Sequence, residues 1–358
     1  GCSWKPVNSG MDQCHHHSVQ SFAINPLNPD ILYRCSGEAR NHQIIGSIHR
    51  STDAGETWHS VLETADFYGN GPTRMYGETI QCSPLIDGYV TAGSYSKGIW
   101  ISKDGGENFS CAGLTGQRIT MVSYHPHRED LLFAGSLGDK GLVGKGGDSG
   151  RIEDTLNKFH DFKRLDGGAL FRSADKGNTW KRIQGIKDVV SMTFSRQNPK
   201  TGWASVYKKG IYKSDDYGTS WYPSSKGLPE GYTVNSIQAD LHDSNKLYAA
   251  VSASMFHNNN LPLLPLYFSE DLGSSWKPVA SQQWEAFSGF PDYVTQKHAG
   301  SALSCVLVDI GEQERLYYSN WYGVAVSQDG GKSWQGNNFT GLETICGEDI
   351  FLSASGKQ

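Results

Sequence analysis

Carboxylates, imidazoles, phenols and guanidinium groups gather in the stretches of this chain that read as connections between strands, and their types suit the cleavage of a sugar polymer. Glu38 and Glu78 could do acid–base work at a glycosidic bond, with Asp12 and Glu343 as further carboxylates. Hydrolysis needs two such groups, roughly 5 to 9.5 Å apart according to its stereochemical course. His17 and His42, with His15 and His16 alongside, and Tyr76 and Tyr95 could instead supply the base that removes a proton beside a uronate carboxylate. Arg40 and Arg74 would then neutralise that carboxylate. Tyr76, Tyr95, Trp321 and Tyr322 offer flat apolar faces for sugar rings, and Lys97, His257 and His298 offer polar contacts. Each carboxylate also suits a structural acceptor role, so hydrolase, lyase and non-catalytic binder all stay open.

A repeated element must hold these groups. The pattern S-x-D-x-G-x-[ST]-[WF] occurs six times, beginning at Ser51, Ser102, Ser173, Ser214, Ser269 and Ser327, with Asn108 in the hydroxyl position of the second copy. Ser and Asp side chains hydrogen-bond turn backbone, Gly admits positive φ, and the aromatic anchors the next strand. Each copy therefore reads as a hairpin tip and not as a catalytic site. The aromatic positions lie 41 to 71 residues apart, a spacing typical of stacked β-propeller blades. Gly1-Cys2-Ser3-Trp4 reads as the end of a seventh copy.

Between copies, short apolar runs flank turns such as Asn25-Pro-Leu-Asn-Pro29, and inner strands are expected to begin near Val19, Thr79, Ile119, Val189, Val234, Leu303 and Thr344. The expectation is an all-β chain, a single seven-bladed β-propeller domain over residues 1–358. Its ring would be closed by the N-terminal strand, residues 3–7, which would remove most exposed sheet edge. Loops opposite the hairpin tips would collect the residues named above. An irregular stretch at about 137–168 expands the third blade, as a rim over a polysaccharide groove or as a surface insertion. Its Gly-rich start lacks the Lys-Ser/Thr and helix of a phosphate loop. The only short helix expected is at 155–162.

The repeated motif resembles the Asp-box, or bacterial neuraminidase repeat, of sialidases, two-propeller xyloglucanases, sortilin-type receptors and a photosystem assembly factor. That resemblance implies the propeller fold and spans enzymes and binders alike. Arg74-Met-Tyr-Gly-Glu78-Thr-Ile-Gln-Cys-Ser-Pro84 is similar to the second-blade segment R-x-G-E-R-L-x-x-x-P of the xyloglucanases, and Gly98-Ile-Trp-Ile-Ser-Lys-Asp104 to their G-L-W-x-S-x-D. Where those enzymes carry a catalytic Asp in T-D-x-G-G-A-Y, this chain has Cys35-Ser-Gly-Glu38-Ala-Arg40-Asn41. Their second carboxylate comes from a partner propeller. The F-R-I-P start of sialidases is missing, which disfavours classical sialidase activity.

Composition narrows the classes further. The 358 residues carry a formal charge of −5, which argues against a nucleic-acid footprint. No apolar run is long enough for a membrane helix, because the run at 261–268 is twice broken by Pro. The expected partner is a polysaccharide or oligosaccharide, bound by a monomer without a cofactor. The family implies a secreted, periplasmic or cell-surface protein, and Cys2 would be the lipidated residue if it were anchored. The start without Met is read as processed. Seven cysteines follow no metal or redox spacing. Cys82, Cys305 and Cys346 read as strand fillers, while Cys14 and Cys35 could pair. In the run His15-His16-His17 only alternate residues would share a strand face, so a metal set would need His42 as well, and no metal site is assigned.

Overall fold

A computed structural model describes residues 9–11, 13–40, 43–69, 77–138, 168–252, 266–279, 302–310, 313–320 and 323–336. They form six antiparallel sheets of four strands, each built from consecutive strands. The first holds β1 (Val19–Ile24), β2 (Leu32–Arg40), β3 (Gln43–Ser51) and β4 (His59–Leu62); the second holds β5 (Ile80–Cys82), β6 (Val90–Gly93), β7 (Ile99–Ser102) and β8 (Ser110–Cys111). The third has β9 (Ile119–Tyr124), β10 (Leu132–Ser136), β11 (Ala169–Ser173) and β12 (Lys181–Ile183), and the fourth β13 (Val189–Phe194), β14 (Gly202–Val206), β15 (Gly210–Ser214) and β16 (Tyr222–Pro223). The fifth comprises β17 (Thr233–Ala239), β18 (Leu247–Ser252), β19 (Leu266–Ser269) and β20 (Lys277–Pro278), and the sixth β21 (Ala302–Ile310), β22 (Gln313–Asn320), β23 (Gly323–Ser327) and β24 (Gln335–Gly336). Six inner strands thus begin within one residue of their expected starts. The seventh, near Thr344, the N-terminal strand and the helix expected at 155–162 lie outside the described residues.

Two compact units divide the chain, the first made mainly of Val7–Val190 and the second mainly of Ser191–Leu352. The first unit carries the first three sheets. Burial falls from inner to outer strand: every residue of β9 is buried, whereas both residues of β8 are exposed. Inner strands are covered on both faces and are accordingly rich in β-branched and apolar residues. A register shift recurs near the start of inner strands, between Val19 and Ser21 and again between Val234 and Ser236, and such bulges add local twist.

The six repeated motifs adopt one hydrogen-bonded design. In the first, Ser51 Oγ donates to Asp53 Oδ1 at 2.7 Å and accepts Gly55 N–H at 2.9 Å. Thr57 N–H and hydroxyl both donate to the Asp53 carboxylate, at 2.9 and 2.6 Å. The last repeats it with Ser327, Asp329, Gly331 and Ser333. These bonds, led by the one from Thr57, hold the Asp53 carboxyl down at about 2. Such carboxylates are committed acceptors.

The motif's fourth residue takes positive φ, at Ala54, Gly105, Lys176, Tyr217, Leu272 and Gly330. Its carbonyl receives a bond from the neighbouring sheet: Tyr33 O–H donates to Gly105 O at 2.5 Å, Tyr89 O–H to Lys176 O at 2.7 Å, and Trp203 Nε1–H to Leu272 O at 3.0 Å. A buried aromatic from one sheet is thereby keyed to the Asp box of the next.

Candidate functional site

In the first unit the β1–β2 turns and the Asp boxes share one end of the sheets, so the β2–β3 hairpin and the connections into β5 and β9 share the other. β2 and β3 outrun β1: Val19 pairs with Ser36, but the β2–β3 ladder continues to Arg40 opposite Gln43. Within this extension Gly37 faces Gly46. A Cβ on Gly37 would stand 2.1 Å from Phe67 O, and one on Gly46 2.4 Å from Phe67 N. The glycine pair makes a bare notch into which the segment after β4 settles. Gly69 N–H donates to Gly37 O at 2.8 Å, Gly37 N–H to Ser18 O at 2.9 Å and Tyr68 N–H to Gln20 Oε1 at 2.9 Å.

That segment carries Asp66, a buried carboxylate that no sequence signal marks. It accepts Lys97 N–H at 3.1 Å and the Ser96 hydroxyl, while its own carbonyl takes Tyr95 N–H at 2.8 Å. The β6–β7 turn is thus tied to the β2–β3 hairpin. Tyr95 is consequently no sugar platform. It is 2% exposed, packed edge-on to Tyr68 at 5.5 Å between ring centres, with the Arg118 guanidinium 5.3 Å from its ring. The sequence reading of Tyr95 as an open apolar face is corrected by this packing. Lys97 is exposed, but its ammonium is held by the Thr64 carbonyl.

Glu78, just before β5, keeps the electrostatics of a site. Partial burial raises its carboxyl above the usual 4.5, against the opposing hydrogen bond from the Gln81 amide. Its backbone carbonyl accepts Val122 N–H at 2.8 Å, which fixes it against β9. Glu38 lies near the end of β2, opposite Ile45, and is partly exposed. Arg40 ends β2. His17 follows a single 3₁₀ turn (Cys14–His16) and is exposed, whereas His16 is buried. His42, Arg74, Tyr76, His257, His298, Trp321 and Tyr322, with Asp12 and Glu343, lie outside the described residues.

Two further features were not read from the sequence. Asp188, itself at φ 56°, accepts Gly138 N–H at 3.0 Å and Gly168 N–H at 2.8 Å, so one carboxylate clamps both ends of the long stretch between β10 and β11. A buried polar group of His16, Arg34 and His49 lies behind the 3₁₀ turn. The possible Cys14–Cys35 bridge is excluded because Cys35 is a free, buried thiol. Cys35 lies at the centre of β2, in the first sheet's apolar cluster with Tyr33 and Ile48. Among the described residues no group of three His, Cys, Asp or Glu side chains could hold a metal ion, and no helix is long and apolar enough to cross a membrane.

Four-stranded sheets that each carry an Asp box between their last two strands define a propeller-type fold of the Asp-box class. No family model matches the chain. It is similar to a xyloglucanase of Paenibacillus sp (24% identical over 313 residues, 81% of this chain and 29% of that protein) and to one of Hypocrea jecorina (24% over 307 residues, 77% and 35%). Among solved structures it resembles the GH74 enzyme of Niastella koreensis, with a TM-score of 0.69 at 17% identity, covering 95% of this chain and 50% of that one. It also resembles YCF48 bound to a peptide, at 0.52 and 12%, covering 94% and 86%. The chain is therefore a distant relative of the GH74-type xyloglucanases in sequence, with a fold shared by YCF48. It spans about a third or less of the curated xyloglucanases it matches.

Proposed function

We propose that the chain cleaves glycosidic bonds of a polysaccharide by hydrolysis, with xyloglucan-type glucans as the substrate class, on the end of the sheets opposite the Asp boxes. The observation that carries this reading is Glu78. It lies in the segment similar to xyloglucanases, and burial keeps its carboxyl protonated to higher pH, as a general acid requires. Glu38, on the neighbouring hairpin, is the second carboxylate of the proposal. The architecture proposed with it is a monomeric seven-bladed ring closed by the N-terminal strand, in a protein that works outside the cytoplasm. The likeness to YCF48, which spans most of that single chain, favours a second reading, a non-catalytic propeller that binds its partner on the same end.

Incubation with neutral and uronate-containing polysaccharides, following reducing ends together with absorbance at about 235 nm from an unsaturated uronate, tests these readings. New reducing ends from xyloglucan without absorbance, lost in Glu78→Gln, are expected for hydrolysis. Absorbance that survives Glu78→Gln would assign elimination instead, and binding with no product at all would assign the non-catalytic reading.

A further inference from the structure

The segment that enters β1 is held by imidazoles. His15 and His16 meet edge to face at 4.4 Å, and His16 meets His49 of β3 in the same way at 4.3 Å. Gln13 N–H donates to His16 Nδ1 at 3.3 Å, so the neutral ring carries its proton on Nε2. The Nε2 atoms of His16 and His49 are both buried without a hydrogen-bond partner. Arg34 of β2, 5% exposed, donates from Nη2 to the His16 carbonyl and stacks 5.4 Å from the Trp58 ring, while its Nε is buried and unpartnered.

Charged and titratable groups face this cluster from four elements. His15 and His17 come from the turn, Arg34 from β2, His49 from β3, and Glu63 from the segment after β4. Ser47 Oγ, 3.4 Å from His49 Nδ1, is neutral. Glu63 is the one carboxylate among them, its effect on His16 smaller than those of burial, His15 and Arg34, and Arg34 has no carboxylate partner among the described residues.

We propose that His16, His49 and Arg34 form a pH-sensitive latch, which holds the 3₁₀ turn against the first sheet while the imidazoles are neutral and releases it when they are protonated. A proton on either ring would be buried beside a guanidinium without a hydrogen-bonded counter-charge, and opening the turn returns the ring to water. The released segment leads through exposed His17 into the Ser18 carbonyl that anchors Gly37, so the device governs order at the mouth of the sheet.

Burial first, then Arg34, depress His49 to about 3, and burial with His15 and Arg34 lowers His16. For a histidine depressed in the closed state, stability is complete above the released value of 6.5. It is lost as pH falls from there toward the closed-state value. Each histidine so coupled raises the opening constant about tenfold per pH unit in that window.

Hydrogen exchange of the full chain from pH 8 to 5, corrected for intrinsic rates and read over residues 13–19, measures this. The expected result is a flat opening constant above pH 6.5 and a rise of tenfold or more per unit below it, with amides of β9 and β10 unchanged. His49→Gln should remove about one proton from the slope, and His16→Gln reads the same coupling if the first variant does not fold. A flat profile, a slope unchanged in the variant that folds, or a parallel rise over β9 and β10 would each overturn the latch.

Discussion

The two ends of the sheets in the first unit satisfy their polar groups in opposite ways. At the Asp-box end each carboxylate takes several short donors; Asp53 and Asp104 sit at about 2 for that reason. Away from the boxes, buried polar atoms lack partners, among them Thr79 Oγ1 before β5 and, under the 3₁₀ turn on the first sheet, His16 Nε2, Arg34 Nε and His49 Nε2, and burial drives Glu78 upward. The first end behaves as scaffold, repeated because each blade needs the same hairpin. The second departs from repetition, and uncompensated burial of this kind marks where chemistry or switching is built. Acid therefore acts on the Asp boxes and on the histidine cluster in different windows. Asp-box carboxylates contribute stability that is complete above about 3.8 and lost as pH falls toward 2. The histidine cluster yields earlier, below 6.5.

The largest expected effect breaks the second end sterically. Gly37→Ala drives a Cβ into backbone at Phe67, and its neighbours within 3 Å are also backbone, which cannot swing away. A loss of about 3 kcal/mol is expected in denaturant unfolding. Gly116→Ala is the contrast: its positive φ of 83° is strained, but nothing lies within 4 Å of the new atom, so about 1 kcal/mol is expected. Equal losses would mean that the notch is not close-packed.

The Asp-box end breaks less severely. Ser173, 1% exposed, donates to Asp175 Oδ1 at 2.7 Å and accepts Gly177 N–H at 2.8 Å. Ser173→Ala leaves that N–H buried and unpaired, at a cost of about 2 kcal/mol. Ser173→Thr should lose less, since it keeps the hydroxyl.

What was legible in the sequence follows the same division. The Asp box is local: five specified positions within eight dictate the hairpin tip, so its hydrogen bonds and the starts of the inner strands could be read directly. The other end depends on elements far apart in sequence. Tyr95 looks like an aromatic in a loop until Tyr68 and Arg118 are brought onto it. Gly37 and Gly46 acquire meaning only once β2 and β3 are in register, and Asp66 only once the β6–β7 turn is beside it. Cys14 and Cys35 suggested a bridge by flanking one hairpin, but the Cys35 thiol is free within β2. Glu78 was identified by similarity of its segment, yet its raised pKa comes from burial, which the motif does not encode.

A smaller effect is expected at Asp188. Asp188→Ala frees two amide donors at the base of the long stretch after β10 and should cost about 1 to 2 kcal/mol. Asp188→Asn retains the Oδ1 acceptor and should stay near the parent. Exchange at Gly138 and Gly168 should quicken in the alanine variant only; quickening in both would show that charge, and not the acceptor, makes the clamp.

The smallest effect sharpens the comparison from the scaffold side. Tyr33 is fully buried, and its hydroxyl reaches the Asp box of the next sheet at Gly105 O. Tyr33→Phe keeps the ring that fills the space beside Gly106 and removes only that hydrogen bond, so about 1 kcal/mol is expected near neutral pH. Burial holds this phenol up at about 12, the Arg50 hydrogen bond only partly opposing it, whereas an unfolded tyrosine ionises near 10. The folded state thus keeps a proton that the unfolded state releases, and stability is lost as pH rises from 10 toward 12. Phenylalanine has no proton to lose. The gap between parent and Tyr33→Phe should therefore narrow through that window, and a gap that stays constant to pH 11 would show that burial does not hold the phenol protonated in the folded state.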